Sequence, residues 1–187
     1  DLNQDYGHMF YYLVDNDGKV ADVFSFGPDE VLKPGPSYTQ LVLGRSGTAD
    51  YPVGEASQVT VIDINVAQYG LLRTQIASDR LSVAVGAMRY RELNNSTCAG
   101  AAVDNLASPL TGLGIPVGRS PVRLPTWASA ESDSLGVTTN GVTPIDLINP
   151  YAQYNAMIDA GFVFTKVPPM GVIQTGDASP VAVSPKK

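Results

Sequence analysis

Glycine and proline interrupt this chain too often for a bundle of long helices. The 187 residues include 18 Gly and 14 Pro, more than their usual share in a globular protein. Together with serine they concentrate in residues 28–58 and 107–144, which predicts long loops of the kind that often shape a site. We expect one α+β domain over residues 1–170, followed by a small-residue, proline-rich flexible tail over residues 171–187.

Composition and charge exclude several classes of protein. A hydrophobic fraction of 44% is enough for a packed core and rules out disorder along the whole chain. The net charge of -6 leaves no basic stripe that would neutralise phosphates, so we expect no nucleic-acid partner. No apolar run reaches the ~18 residues of a membrane span, and we expect no transmembrane segment. The chain begins at Asp1 without a signal-peptide pattern, which suggests a processed C-terminal piece of a larger protein.

Hydrophobic patterning divides the other segments into short strands and helices. Residues 15–18 are a hairpin turn signal. Asn65 and Ser96 are expected to cap helices, and Pro150 is expected at the first position of the last helix. The predicted strands are residues 8–14, 20–26, 38–43, 59–64 and 162–167, and the predicted helices are about 66–80, 98–106 and 151–160.

A single cysteine and a single histidine limit the chemistry of the chain. Cys98 and His8 are the only residues of their types, so an internal disulfide and a structural Cys/His zinc site are excluded, and we expect no cofactor or metal. Cys98 falls in the first turn of its predicted helix, where unpaired N–H groups and the helix dipole would lower the pKa of the thiol. His8 is the only imidazole that can serve as its base. The small residues after Cys98 would let the helix pack tightly on the sheet that carries His8.

A third polar group is expected to orient the imidazole of His8. If the hairpin loop has two residues, His8 faces Ser25, which is the favoured candidate. If Gly18 forms a bulge, Asp22 shares the face of His8 about four residues along and is the second candidate. Further options near the end of the next predicted strand are Asp63 and Asn65.

Each of these residues also has a purely structural interpretation. A lone Cys among small apolar residues is most often a buried hydrophobic residue. A lone His at the start of a strand usually lies on the surface or has its hydrogen bonds satisfied. The two together favour catalysis more than either alone, because they occur where a nucleophile and its base are expected.

Two short motifs are similar to those of a known hydrolase family. Residues 7–14 (Gly-His-Met-Phe-Tyr-Tyr-Leu-Val) resemble a histidine strand, and residues 90–106 resemble a tyrosine, asparagine, cysteine and helix segment. In this order, and over about residues 1–106, the chain resembles the circularly permuted papain-like hydrolases, the NlpC-like and lecithin:retinol-acyltransferase-like group. The family usually has Asn directly before Cys, whereas Ser96 and Thr97 intervene here. Moving the motif by two residues would place Ser96 at the nucleophile position.

The resemblance implies a fold and a set of roles. The fold would be a permuted papain-like α+β domain, with a short antiparallel sheet packed on the helix that bears the nucleophile. Cys98 would be the nucleophile, with its backbone N–H in an oxyanion hole, and His8 would be the base.

Three functions are compatible with these expectations. The leading one is a secreted antibacterial effector of a type VI-like apparatus, delivered to the periplasm of a target bacterium. It would be a cysteine amidase or endopeptidase that cleaves peptidoglycan peptide bonds, with a cognate immunity protein as a further partner. The second is a lipid acyl hydrolase or acyltransferase that uses the same pair, with Leu124 and Trp127 beside an apolar groove. The third is a non-catalytic binding module in which Cys98 is merely buried.

Overall fold

The computed structural model of the chain describes residues 7–29, 38–53, 58–122 and 145–166. Over these residues it is an α+β structure of short, two-stranded antiparallel sheets and four α-helices, which confirms the predicted class. The strands are β1 (Tyr11–Val14), β2 (Val20–Phe24), β3 (Gly27–Pro28), β4 (Gly47–Thr48), β5 (Gln58–Val59), β6 (Arg119–Val122), β7 (Ile145–Ile148) and β8 (Thr165–Lys166). The helices are α1 (Tyr38–Leu43), α2 (Val66–Ala84), α3 (Cys98–Leu106) and α4 (Pro150–Asp159), with a short 3-10 turn at Glu92–Asn94.

Some predictions fall outside this part of the chain. The tail expected at residues 171–187 lies outside the described residues, and so do Leu124 and Trp127. None of the helices in the described ranges has the length and apolar character needed to cross a membrane.

The turn between β1 and β2 forms where the sequence predicts it. The Asp15 carboxylate accepts hydrogen bonds from the N–H groups of Asp17 and Lys19 at 3.0 and 2.9 Å. Gly18 has a φ of 77°, a left-handed conformation that glycine adopts without strain. The two strands pair antiparallel from this turn outward.

The register of the hairpin differs from the favoured prediction. Val14 faces Val20, which matches the bulge alternative, and an irregularity between Leu13 and Val14 then shifts the rest of the ladder by one residue. The register of a two-residue loop is therefore wrong. The strand expected from residue 8 begins only at Tyr11, and His8 lies on the extended segment that precedes β1.

The core lies between this hairpin, α2 and α3. Residues of the hairpin, of the segment just after β2, of α2 and of α3 form one buried cluster: Tyr11, Leu13, Phe24, Phe26, Leu72, Ile76, Ala101 and Ala102. The other face of α3 meets β7, where Cys98, Ala99 and Val103 pack with Ile148. Because its residues are small, α3 fits between two layers, as the sequence predicts.

Capping side chains start two helices at the predicted places. Asn65 and Gln68 form a reciprocal capping box at the start of α2, which satisfies backbone donors that the helix leaves unpaired. The helix continues to Ala84, beyond the predicted end near residue 80. Asn149 caps α4, and Pro150 occupies its first turn, where a missing N–H costs nothing.

The strand predicted at residues 38–43 is wrong, because this segment forms the helix α1. Its β-branched and aromatic residues favour a strand, but in the helix Leu41 provides a deeply buried anchor, at 1% exposure. Gly44 ends the helix with a φ of 81°, and its N–H donates to the Gln40 carbonyl at 2.9 Å. A glycine just after the last helical residue is a common stop signal, and it was the clue available in the sequence.

Other strand predictions were also imperfect. Residues 59–64 were expected to form a strand, but the strand in this region is limited to Gln58–Val59. It pairs with Thr165–Lys166, which is part of the closing strand predicted at residues 162–167. The stretch 107–144 was expected to be a loop, but it contains β6, which pairs with β7. Pro121 lies within β6, and proline argues against a strand because it donates no ladder hydrogen bond.

Candidate functional site

The helix α3 begins at Cys98, which confirms that the thiol lies in the first helical turn. Thr97 is the N-cap, and its hydroxyl oxygen accepts a first-turn N–H at 3.2 Å. The prediction that Ser96 caps the helix is wrong, because Ser96 still belongs to the preceding loop. It bridges to the backbone of Arg91, and its hydroxyl donates to the Arg89 carbonyl at 2.6 Å.

The thiol of Cys98 is buried, at 6% exposure. Four polar groups of the described chain act on it and favour its charged form: its own N–H, the N–H groups of Ala99 and Met9, and the side chain of Tyr90. The N–H of Met9 belongs to the peptide bond that follows His8. The thiol therefore lies close to the backbone of Met9, and the described hydrogen bond of the His8 imidazole goes to Ser25 and not to the thiol.

Burial raises the pKa of the Cys98 thiol, and the four polar groups offset only part of this effect. The prediction that the helix start lowers this pKa is therefore wrong in direction. The donors and the helix dipole do favour a thiolate, but removing the charged form from water costs more than they return. At neutral pH the resting residue is a neutral thiol.

The imidazole of His8 is held by a series of hydrogen bonds. Its Nε2 lies 2.8 Å from the hydroxyl oxygen of Ser25, and this hydroxyl donates to the carbonyl of Tyr51 at 2.8 Å. The ring also packs beside the Tyr51 ring, with centroids 4.9 Å apart, and stacks on Phe10 at 6.0 Å. Ser25 therefore makes the contact with His8 that was predicted, although the register that suggested it is wrong.

This series of hydrogen bonds determines which imidazole nitrogen carries the proton. A serine hydroxyl has one proton to donate, and Ser25 gives it to the Tyr51 carbonyl. The hydroxyl oxygen must then accept from His8, so Nε2 carries the proton. The other nitrogen, Nδ1, is left unprotonated and able to accept a proton.

Burial lowers the pKa of His8 from 6.5 to about 4. The ring is therefore neutral at neutral pH, which agrees with the single-proton tautomer. Cys98 and His8 together form a neutral thiol and imidazole, and not a preformed thiolate–imidazolium pair.

The remaining candidates for the third polar group have other partners or locations. Asp22 accepts a hydrogen bond from the Arg80 guanidinium at 2.7 Å, as part of an ion pair between the hairpin and α2. Asn65 uses its side chain to cap α2, and Asp63 is exposed on the segment before that helix. Of the proposed orienting groups, the structure brings Ser25 to His8.

Tyr90 lies beside Cys98, although the sequence pointed to it only as the first residue of the segment that resembles the hydrolase family. Its side chain interacts with both the thiol and the backbone N–H of Cys98. Burial raises the pKa of Tyr90 above its usual range, so the hydroxyl keeps its proton and can donate it. The available signal was the resemblance itself, since Tyr90 opens the segment compared with the family.

Replacing Ser25 with alanine is expected to lower the free energy of unfolding by about 2 kcal/mol. The substitution leaves the Nε2–H of His8 and the carbonyl of Tyr51 without a partner in a buried place, and each such group carries a desolvation penalty. It should also remove the preference for the tautomer with the proton on Nε2, so that the ring nitrogens of His8 change their ¹⁵N chemical shifts. Urea unfolding followed by circular dichroism and NMR of the single histidine measure the two effects.

The matched control is Ser120→Ala, which removes a hydroxyl that accepts from the Asn149 amide at 2.6 Å. It should cost some stability while leaving the histidine nitrogen shifts at their wild-type values. Unchanged histidine shifts in Ser25→Ala would mean that Ser25 does not select the tautomer.

The described residues contain no group of three or more His, Cys, Asp or Glu side chains placed to hold a metal ion. The described site is therefore one of a thiol, an imidazole, two hydroxyls and backbone groups. No family model, curated protein or solved structure matches this chain, so the chemistry assigned to it rests on this geometry and on the resemblance of its two motifs.

Proposed function

We propose that the chain is a cysteine hydrolase in which Cys98 is the nucleophile, His8 the general base and Ser25 the residue that orients the imidazole. The observation that carries the proposal is the series of hydrogen bonds from Tyr51 through Ser25 to Nε2 of His8. These hydrogen bonds leave Nδ1 of His8 free to accept a proton. The next residue, Met9, contributes the backbone N–H that acts on the thiol. A nucleophile, a base and a group that orients the base are the parts that acyl transfer requires.

The neutral resting pair has a consequence for the first step. The sulfur of Cys98 attacks the carbonyl carbon of an amide or ester while its proton passes to Nδ1 of His8. The imidazolium then gives this proton to the leaving amine or alcohol. Water attacks the resulting thioester with His8 again as the base, which releases the acid and restores the thiol. The N–H of Cys98 and the hydroxyl of Tyr90 are the donors beside the sulfur for the oxyanion.

We further propose that this arrangement is a circularly permuted papain-like one. Three features support it: a histidine on the segment before the first strand, a cysteine that begins a buried helix, and a tyrosine that precedes and contacts this cysteine. The β1–β2 hairpin packs on α3, which agrees with a sheet packed on the helix that carries the nucleophile.

The proposed substrate is a peptide bond of peptidoglycan, cut in the periplasm of a target bacterium by a secreted effector that an immunity protein would block. The resemblance supports this choice, and so does a polar groove of about 510 Å³ between β4 and the end of α2. Its lining includes Asp29, Asp50, Arg80 and Arg89, of which Arg80 pairs with Asp22 and Asp50 and Arg89 donates to the Gly44 carbonyl. The groove does not include Cys98 or His8.

The other two functions become outcomes of the test. The lipid hypothesis would be favoured by an apolar groove near Cys98. Leu124 and Trp127, which were suggested for its lining, lie outside the described residues, and no described contact favours it. The binding-module hypothesis requires that the thiol be inert.

The decisive experiment compares the wild type with Cys98→Ala and His8→Gln on purified peptidoglycan sacculi. We expect the wild type to release muropeptides with new amino and carboxyl termini, detectable by chromatography and mass spectrometry. Each variant should lose at least 10³-fold in rate, because removing the nucleophile or its base removes the covalent route. Expression in a bacterial periplasm should be toxic for the wild type alone.

Circular dichroism of the variants shows whether the loss reflects chemistry or unfolding, since both substitutions retain similar or smaller side chains. Release of free fatty acid or lysolipid from membranes, in place of muropeptides, would support the lipid alternative. Variants as active and as toxic as the wild type would exclude both enzymatic proposals.

A further inference from the structure

A buried ion pair lies behind the tyrosine that contacts Cys98. Arg45 and Glu92 pair directly, and their side chains are only 9% and 14% exposed. Taking two charges out of water costs several kcal/mol each, so a buried pair is weak evidence for stabilisation. Within the described part of the chain, Nε of Arg45 and Oε2 of Glu92 are buried without hydrogen-bond partners. The contribution of this ion pair to stability therefore does not explain why it is buried here.

Arg45 holds Tyr90 through both its backbone and its side chain. The N–H of Arg45 donates to the Tyr90 carbonyl at 3.1 Å, and the N–H of Tyr90 donates back at 3.0 Å. The guanidinium lies over the Tyr90 ring, 5.3 Å from its centroid, within the range of a cation–π contact. Glu92, two residues further along, binds the same guanidinium. The tyrosine is thus held at its backbone and across its ring by one residue.

Neighbouring contacts bring the two segments unusually close. Gly44 has a φ of 81°, and a Cβ at this position would lie 2.5 Å from Cγ of Arg91 and 2.9 Å from the Tyr90 carbonyl oxygen. The Arg89 guanidinium donates to the Gly44 carbonyl at 2.8 Å. Phe26 packs on the Tyr90 ring from the core, with centroids 5.6 Å apart. The direction in which the Tyr90 hydroxyl points is therefore set by packing and by Arg45 together.

We propose that Arg45 is a positioning residue of the Cys98 site, which holds the Tyr90 hydroxyl against the thiol while Glu92 fixes the guanidinium. The inference rests on the proposed hydrolase function for its role in turnover, but its effect on the thiol can be measured without a substrate. A hydroxyl that donates to a thiolate stabilises the charged form. Loosening Tyr90 should therefore raise the pH at which Cys98 becomes nucleophilic.

The test is the pH dependence of Cys98 alkylation by iodoacetamide in the full chain. The chain has one cysteine, so a mass increase reports on this site alone, and the thiolate is the form that reacts. We expect Tyr90→Phe and Arg45→Met each to raise the pH of half-maximal alkylation rate, the midpoint, by about one unit. At a pH below the midpoint, the reaction should then be about tenfold slower. The double variant should show no additional shift, because Arg45 acts through Tyr90.

The midpoint separates this effect from a simple loosening of the structure. Easier access to the thiol would change the rate at every pH and leave the midpoint in place. Among the described residues, Tyr90 is the titratable side chain that acts on the thiol, and His8, with a pKa of about 4, stays neutral throughout the alkaline range. The matched control is Arg80→Met, which breaks the ion pair with Asp22 and should leave the midpoint at the wild-type value.

The outcomes are distinct. If Arg45→Met does not fold, Glu92→Gln removes the ion pair with little change of shape and should produce the same shift. An unshifted midpoint in Tyr90→Phe or in the folded Arg45 or Glu92 variant, or shifts that add in the double variant, would overturn the positioning role. Intact shifts in a protein that hydrolyses no substrate would overturn the proposed function and leave the positioning role in place.

Discussion

Replacement of Gly100 by alanine is expected to destabilise the protein by about 3 kcal/mol, at the upper end of the usual cost of overpacking. A Cβ on Gly100 would overlap the carbonyl oxygen of Asn95 and lie 2.7 Å from its carbonyl carbon. Asn95 cannot easily retreat. It has a left-handed φ of 56°, and its side chain accepts the backbone N–H of Ile148 at 2.7 Å.

The helix is equally constrained from the other side. Val103 of α3 is 1% exposed and packs with Ile148 of β7. A shift of α3 away from Asn95 would therefore compress this contact. Since α3 carries Cys98 at its first position, the substitution should also reduce any activity of the site. Urea unfolding followed by circular dichroism provides the measurement.

A second glycine in a helix provides the control. Gly70 lies inside α2, and a Cβ there would meet nothing within 4 Å. Because alanine is the better helix former by about 1 kcal/mol, Gly70→Ala should stabilise the protein. Opposite signs for Gly70→Ala and Gly100→Ala are the expected result, and similar stabilities would mean that α3 and the Asn95 loop are not packed as described.

The histidine ring is expected to titrate with a midpoint near pH 4, well below its ordinary value of 6.5. The physical cause is the removal of the charged imidazolium from water. Because the chain has one histidine, its ring protons give a single set of NMR signals, and their shifts can be followed against pH without assignment of other residues.

The lowered pKa of His8 also makes the stability of the fold depend on pH. The pKa of His8 is lower in the folded state than in the unfolded state, so the unfolded state binds more protons between about pH 6.5 and pH 4. The contribution is complete above pH 6.5 and is lost as the pH falls through this window. After allowance for the partial exposure of the ring, we expect a loss of about 2 kcal/mol.

Carboxylates also titrate in this range, so the comparison must be made with His8→Gln, which retains an amide donor for Ser25. The difference in unfolding free energy between the wild type and this variant should shrink as the pH falls from 6.5 to 4. A midpoint well above 6.5 would contradict the neutral pair. It would indicate an imidazolium beside a thiolate, and the first step would then be attack by a preformed thiolate.

Local sequence signals predicted several elements correctly because their causes are local. Asn65 and Asn149 cap helices through hydrogen bonds that span three residues, and Asp15 organises a turn with its nearest neighbours. Such interactions do not depend on the rest of the fold. The helix of Cys98 follows the same logic, although the cap is Thr97 and not Ser96.

The contact between His8 and Ser25 was predicted from a premise that the structure does not bear out. The register expected for a two-residue loop is absent, because Val14 faces Val20 and the ladder shifts by one further residue between Leu13 and Val14. Ser25 instead lies beside the backbone of Ala49 and Tyr51, a segment distant in the sequence. The hydrogen bond to the Tyr51 carbonyl, which selects the tautomer, depends on this long-range pairing, which strand patterns do not reveal.

The sequence by itself determined that a thiol nucleophile could only be Cys98 and an imidazole base only His8, and it placed the thiol at the start of a helix of small residues. Only the tertiary structure decided the charge states of Cys98 and His8, the tautomer, and the contacts that Tyr90 makes with Arg45 and Cys98. The reason is that burial sets the pKa of Cys98 and of His8. Burial is the sum of contacts between segments far apart in the chain, whereas a cap or a turn depends on neighbours within a few positions.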